Sequence, residues 1–366
     1  MKTDDRIVFI DYVRVIACFL VMLVHSSEPF YINSALTSEV ATEANRFWVT
    51  FYDGFFGRIS VPLFMIVSAF LLAPMKPGQT MRGFYARRFK RILPPMIFFL
   101  ILYAVLPPLW GQGTWEQAKT DLMLLPFKFP DYCGHMWFMY PLISLYLIIP
   151  VVSPWLEKAS ARDERLFLYF FAASTFVPWL IRFVHTDLWG WCLWNPFFGM
   201  LYYCSGYLGY LVLAHYIRTH IKWSASRRMK VGALCMLLGG AFTAWSFWTM
   251  GKPGVEIDST MIEWSWEFCT PNVVLATFGA FLMFTCISRI KAPRLITDIA
   301  RRSFGMYLMH MFFLSNIAAA MVCGDPANPI LPVWLAIPTI AILSFVCCYV
   351  TTKLISLIPG SKWIIG

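Results

Sequence analysis

Residues Ile7 to Ser27 read IVFIDYVRVIACFLVMLVHSS. The stretch is long and apolar enough to cross a bilayer, yet it carries Asp11, Arg14 and His25. Ionisable groups are costly in hydrocarbon unless they face a protein interior or a wet cavity. Arg14 and His25 lie three helical turns plus about 20° apart, at about 100° per residue, so both point the same way. Asp11 precedes Arg14 by one short turn, and Cys18 precedes His25 by two, so both sit near the same face. The bland alternative is a structural Asp11–Arg14 ion pair with His25 near the surface. The shared stripe favours a helix that packs its polar side against a protein interior and carries chemistry there.

Composition extends this to the whole chain. Hydrophobic residues make up 59% and charged residues 14% of the 366, against about 25% charged in a soluble domain. This is the composition of an integral membrane protein. No small-residue cleavage site follows the first apolar run, so that run is expected to stay as an anchor. Ten spans are expected, at 7–27, 53–73, 91–110, 134–156, 166–184, 195–214, 229–250, 270–288, 303–322 and 331–357. Most approach the ~20 residues that a bilayer requires. The fourth and tenth contain Pro141, Pro150, Pro154 and Pro338, which bundle neighbours accommodate. The fifth is the weakest, because it contains Pro178 and Arg182.

With the amino terminus placed in the cytosol, 23 of the 30 lysines and arginines fall in cytosolic segments. Only Arg46, Lys119, Lys128 and Lys252 fall outside, and Arg14, Arg58 and Arg182 lie within spans. An excess of Lys and Arg inside sets orientation, so both termini are expected in the cytosol. The net charge of +10 is then mainly topological and does not indicate nucleic-acid binding.

The external loops read as acidic and aromatic. Loop 28–52 holds Glu28, Glu39 and Glu43, and loop 251–269 holds Glu256, Asp258, Glu263 and Glu267 around Trp264 and Trp266. Most of the 16 tryptophans read as interface anchors, but Trp–Glu clusters also suit sugars. Rings stack on their apolar faces while carboxylates bond their hydroxyls. No internal repeat, low-complexity tract or separate soluble domain is evident, so residues 1–366 read as one transmembrane domain. Of ten cysteines, Cys133, Cys192, Cys269 and Cys323 fall on the external side and could pair, in an order that sequence does not give. No Cys/His spacing resembles a metal site, and no metal is expected.

Four further constellations carry possible chemistry. The run FYARRFKRILPP, from Phe84 to Pro95, places Arg88 and Arg91 on one face at the cytosolic entry of the third span. Topology and binding to anionic headgroups explain such a run on their own. A phosphorylated cytosolic ligand would use the same guanidinium forks. The run GRISVPLFMIVSAFLL, from Gly57 to Leu72, starts with Arg58 and Ser60 at about the depth of His25. Arg58 either snorkels to the interface or holds a carboxylate or anionic acceptor. In GHMWFMYPLISLYL, from Gly134 to Leu147, His135 and Trp137 open the fourth span at that same depth. Last, SFGMYLMHMFF, from Ser303 to Phe313, puts Ser303, Tyr307 and His310 on one helical face. An intramembrane histidine is by default a functional hypothesis.

These residues together resemble the integral-membrane acyltransferase family 3. Arg14 and His25 match its Arg-x10-His motif, with Asp11 ahead of them as Asp-x-x-Arg, and Arg88 and Arg91 match its Arg-x-x-Arg motif. SVPLF with Ser68, His135 to Phe138, and the segment ending at His310 match recurring family segments in the family's order. Each motif alone is weak; the set, running from Arg6 to about Leu314, is specific. The chain is most like stand-alone members, with no soluble esterase-like domain after the last span, which leaves the final transfer to the membrane domain or to a partner protein.

The resemblance implies transfer of a short acyl group, acetyl above all, from cytosolic acyl-coenzyme A to a hydroxyl of an envelope or exported glycan. It implies a bacterial inner-membrane location. His25, with Arg14 and Asp11, would be catalytic, as a general base or transient acyl carrier. Arg88, Arg91, Ser303, Tyr307 and His310 would hold acetyl-coenzyme A. Arg58, His135 and Trp137 would meet the acceptor, and Arg58, His135 or Tyr307 could steady the oxyanion. The ~16 Å from Arg14 to His25 along the helix axis is comparable to the reach of a pantetheine arm. A flippase or transporter of glycan or lipid-linked intermediates is a rival reading. Matching broken helices in two halves would be its signature, and none is found. A membrane-bound O-acyltransferase of another class is the second rival, against which the Arg-x-x-Arg and Arg-x10-His spacings weigh. The acceptor, the acyl group and the oligomeric state stay open.

Overall fold

The computed structural model describes residues 7–31, 42–184, 198–250, 252, 266–289, 292–325 and 328–366. Among these residues the chain is helical and contains no β-strand. Among the described residues eight stretches are long and apolar enough to cross a membrane: Val8–Phe30, Glu43–Leu72, Met81–Trp110, Asp131–Lys158, Ala161–Ile181, Ala225–Met250, Arg294–Val322 and Val333–Ile355. The two other expected spans coincide with the shorter helices Gly206–Thr219 and Pro271–Phe284. The expected all-α, polytopic architecture is therefore observed.

The elements that build the site are α1 (Val8–Ser27), α2 (Glu43–Val49), α3 (Ser60–Leu72), α4 (Met81–Val105), α5 (Trp115–Leu124) and α6 (Met139–Lys158). They continue as α7 (Ala161–Thr175), α8 (Val177–Val184), α9 (Gly206–Thr219), α10 (Ala225–Met250), α11 (Pro271–Phe284), α12 (Arg294–Val322), α13 (Val333–Ile355) and α14 (Lys362–Ile365). The basic run at Arg88 lies inside α4, whose first turn is capped by the Thr80 hydroxyl accepting from the Gly83 N–H. Helix α12 likewise starts nine residues before Ser303, so its polar stripe lies well inside one continuous helix. Helices α6 and α13 run through their prolines rather than breaking at them. The weak fifth span does break: α7 stops at Thr175 and α8 restarts at Val177, with Pro178 in its first turn, where a missing N–H matters little.

Helix α1 is the hub, packed against α3, α12 and α13. Its buried residues, among them Val13, Ala17 and Met22, run along its whole length. A transmembrane helix surrounded by protein can carry polar side chains that a lipid-facing one cannot. Small residues set the tightest contact, between α10 and α11. A Cβ on Gly232 would stand 2.7 Å from the Gly279 carbonyl oxygen, so bare backbone is needed for the two helices to approach this closely.

At the end of the bundle that carries the arginine run, two polar clasps hold α9. Both His215 Nδ1 and His220 Nε2 lie 2.9 Å from one oxygen of the buried Glu164 carboxylate on α7. Arg218 donates to the Phe70 and Ala73 carbonyls at 2.6 Å, closing the last turn of α3. Cys133, Cys269 and Cys323 carry free thiols, so no disulfide forms among these three; Cys192 lies outside the described residues. So do Glu39, Glu256, Asp258, Glu263 and Trp264, which the acidic external loops were expected to present.

Candidate active site

Two cavities enter the bundle from opposite ends. The first is narrow, about 110 Å³. Helix α1 contributes Arg14 to it, α3 contributes Phe64 and Ser68, α4 contributes Arg88 and Arg91, and α12 contributes Arg301, Ser303 and Tyr307. Among the described residues four guanidinium groups line it and no carboxylate does. A low-dielectric wall with fixed positive charge focuses a field that favours a multiply anionic ligand. Arg301 was read from sequence only as topological charge; its place two residues before Ser303 was the available signal.

The second cavity is wider, about 810 Å³, and opens at the other end. His25 and Glu28 line it, together with Arg58, Ser60, Trp137, Tyr207, Trp266, Glu267 and Phe268. His25 Nδ1 stands 2.8 Å from Glu28 Oε1. Local structure makes that pairing: α1 ends at Ser27, and a 3₁₀ turn from Glu28 to Phe30 continues the chain, so residues three apart stack. The Ser26 and Ser27 hydroxyls bond back to the Met22 and Leu23 carbonyls and satisfy the last turn. With Nδ1–H donated to the carboxylate, the imidazole keeps its lone pair on Nε2. This is the tautomer that a base needs.

Arg58 does not reach into the cavity as an open cation. It forms an ion pair with the fully buried Asp53, and its guanidinium lies 3.7 Å from the centre of the Trp266 ring. The Tyr31 hydroxyl completes the network, donating to Asp53 at 2.7 Å. Of the two uses of Arg58 expected from sequence, holding a carboxylate is the one observed, and that carboxylate is the protein's own. Asp53 escaped sequence reading because the backbone from Thr50 to Phe56 is a π-helix. Its wider turn moves a residue off the face that a 3.6-residue count predicts. The cavity wall is aromatic: Trp137 and Phe268 stack at 5.5 Å with their planes 13° apart.

Behind His25 stand two more imidazoles. The His310 ring lies 5.2 Å from that of His25, and the His135 ring 4.7 Å from that of His310. His310 is fully buried, with Nδ1 2.6 Å from the Tyr307 carbonyl and Nε2 unpaired. The Tyr307 hydroxyl donates to the His135 carbonyl and ties α12 to the start of the fourth span. The structure thus gathers His25, His135 and His310, which sequence placed at one depth or on a separate stripe. His135 and His310 line neither cavity; they pack between them. Asp11 is buried on α1 and lines neither cavity either. Arg14 and His25 line opposite cavities, joined by the same face of one helix.

A family model described as an acyltransferase domain, that of acyltransferase family 3, matches residues 7–353. A relative is the protein named "Putative membrane-bound acyltransferase YfiQ" of Bacillus subtilis (strain 168). It is 24% identical over 354 residues, covering 92% of this chain and 86% of its own. No solved structure matches the chain.

Proposed function

The chain belongs to acyltransferase family 3, and from that premise we propose that it moves a short acyl group, acetyl above all, from acyl-coenzyme A to a glycan hydroxyl. The observation that carries the reading is the pair of opposed cavities. One has four arginines and no carboxylate, which suits the phosphates of coenzyme A; guanidinium forks match phosphate oxygens in pairs. The other has a His–Glu pair beside stacked aromatic rings, which suits a sugar presenting a hydroxyl. Family membership favours this over the transporter reading. The bacterial inner membrane is the proposed location.

In the proposed reaction His25 Nε2 removes the proton from the acceptor hydroxyl as its oxygen adds to the thioester carbonyl carbon. The Glu28 carboxylate holds the ring in place and stabilises the imidazolium that forms. The tetrahedral adduct collapses, the carbon–sulfur bond breaks, and the thiolate leaves with the electron pair. The proton held by His25 returns to sulfur, so the products are an acyl ester and free coenzyme A. Arg14, Arg88, Arg91 and Arg301 hold the donor; Trp137 and Trp266 face the acceptor.

The test supplies radiolabelled acetyl-coenzyme A and bacterial envelope glycans to the purified protein in liposomes. Label in glycan ester, with matching release of free coenzyme A, is expected. The absence of both label transfer and thiol release would overturn the proposal. Mass comparison of envelope glycans from cells with and without the protein then identifies the acceptor.

A further inference from the structure

The two cavities stop short of each other: on α1 the lining of the narrow cavity reaches Arg14 and that of the wide cavity begins at Val21. On α3 the lining of the narrow cavity ends at Phe64 and that of the wide cavity begins at Val61. On α12 the narrow cavity ends at Tyr307, and His310, one turn on, already packs against His25. At the start of the fourth span, Phe138 lines the narrow cavity and its neighbour Trp137 the wide one. The three residues at the boundary touch. Phe138 packs edge-on against Tyr307 at 5.6 Å and tilts over Phe64 at 6.1 Å. They form an aromatic septum across the passage, between the arginines and the imidazoles.

We propose that this septum, through Phe138 and Phe64, sets the length of the acyl group that the protein accepts. The inference rests on the proposed acyl-coenzyme A reading. A donor held by its phosphates at the arginines enters acyl end first, so the acyl group is the part that meets the septum. A longer chain must displace buried rings or fold back, because Phe138 and Tyr307 are each only 5% exposed. Close-packed interiors yield poorly to added methylenes. Selection by one or two methylenes in an apolar pocket is worth roughly ten- to two-hundredfold. Tyr307 is fixed by its bond to the His135 carbonyl, which leaves the two phenylalanines as the residues that set the width.

The test measures dissociation constants of acetyl-, butyryl- and hexanoyl-coenzyme A on the purified protein by calorimetry, so it needs no acceptor. The wild type should bind acetyl-coenzyme A at least roughly tenfold more tightly than hexanoyl-coenzyme A. Phe138→Ala and Phe64→Ala should each bring that ratio down towards one. Phe64→Trp, at a half-buried position that tolerates a larger ring, should move the ratio the other way and reject butyryl-coenzyme A more strongly. It guards against an alanine variant that fails to fold. Wild-type affinity independent of chain length, or a ratio unchanged in the folded variants, overturns the septum. A wild type that binds no acyl-coenzyme A at all instead overturns the proposed function on which it rests.

Discussion

At the scale of single residues, the chemistry open to each polar group depends on whether it is already satisfied. His25 is oriented by Glu28, so His25→Ala should abolish transfer, and Glu28→Gln should lower kcat by roughly 10²- to 10⁴-fold with little change in donor affinity. Steady-state kinetics of each inserted variant checks both; a Glu28→Gln protein with wild-type kcat would remove the carboxylate from the mechanism. The arginines should behave oppositely. Arg88→Ala, Arg91→Ala and Arg301→Ala should each weaken acetyl-coenzyme A binding by about 10- to 150-fold, since a hydrogen bond to a charged group contributes roughly 1.5–3 kcal/mol. Asp53→Asn differs again, because it leaves Arg58 buried without its carboxylate. Breaking a buried pair costs roughly 3–5 kcal/mol, so the expected readout is a lowered thermal midpoint. The cavity-lining positions of Arg14, His25, Arg88 and Arg91 are legible in the sequence from spacing. Glu28 was seen only as loop acidity, although its three-residue offset from His25 is a helical one. Asp53 was not found, because a π-turn changes the register on which such counting depends.

Elements were easier to read than their ends. Hydropathy located every helix that the ten expected segments covered, since apolar length is a local property. It missed that α4 and α12 begin well before their apolar cores, because a polar first turn outside the hydrocarbon is invisible to a hydropathy window. It gives α9 and α11 longer spans than the structure shows, because their ends are satisfied by neighbours rather than by length. Helix α9 is held by Glu164 and by the Arg218 bonds to the end of α3. Helix α11 is held by close approach to α10, and that contact supplies a prediction. Gly232→Leu must push its Cβ into the Gly279 carbonyl, so α10 and α11 should separate. Lowered thermal stability in detergent is expected, typically by 1–3 kcal/mol for an overpacked site, whereas Gly78→Leu, where a Cβ meets nothing, gives the measure of backbone strain alone.

At the scale of the whole molecule the two cavities make a claim about sidedness. The arginine cavity and the His25 cavity open at opposite ends of the bundle, and His25 stands roughly 27 Å along α1 from its entry at Ile7, at about 1.5 Å per residue. That is close to the hydrocarbon thickness of about 30 Å. The orientation expected from the distribution of lysine and arginine would put the arginine cavity on the cytosolic side, where acyl-coenzyme A would be supplied. A donor and an acceptor would then never share a compartment, and the thioester would have to cross most of the bilayer inside the protein while the hydroxyl crosses almost none. Sealed vesicles of known orientation test this, with acetyl-coenzyme A on one side and envelope glycan on the other. Transfer is expected only when the donor faces the arginine cavity and the acceptor faces His25. Transfer that requires both substrates on the arginine side would refute the trans-membrane arrangement. It would still leave His25, Glu28 and the arginines as the parts of the proposed acyltransferase, because their chemistry depends on where the bundle holds them and not on which compartment supplies the acceptor.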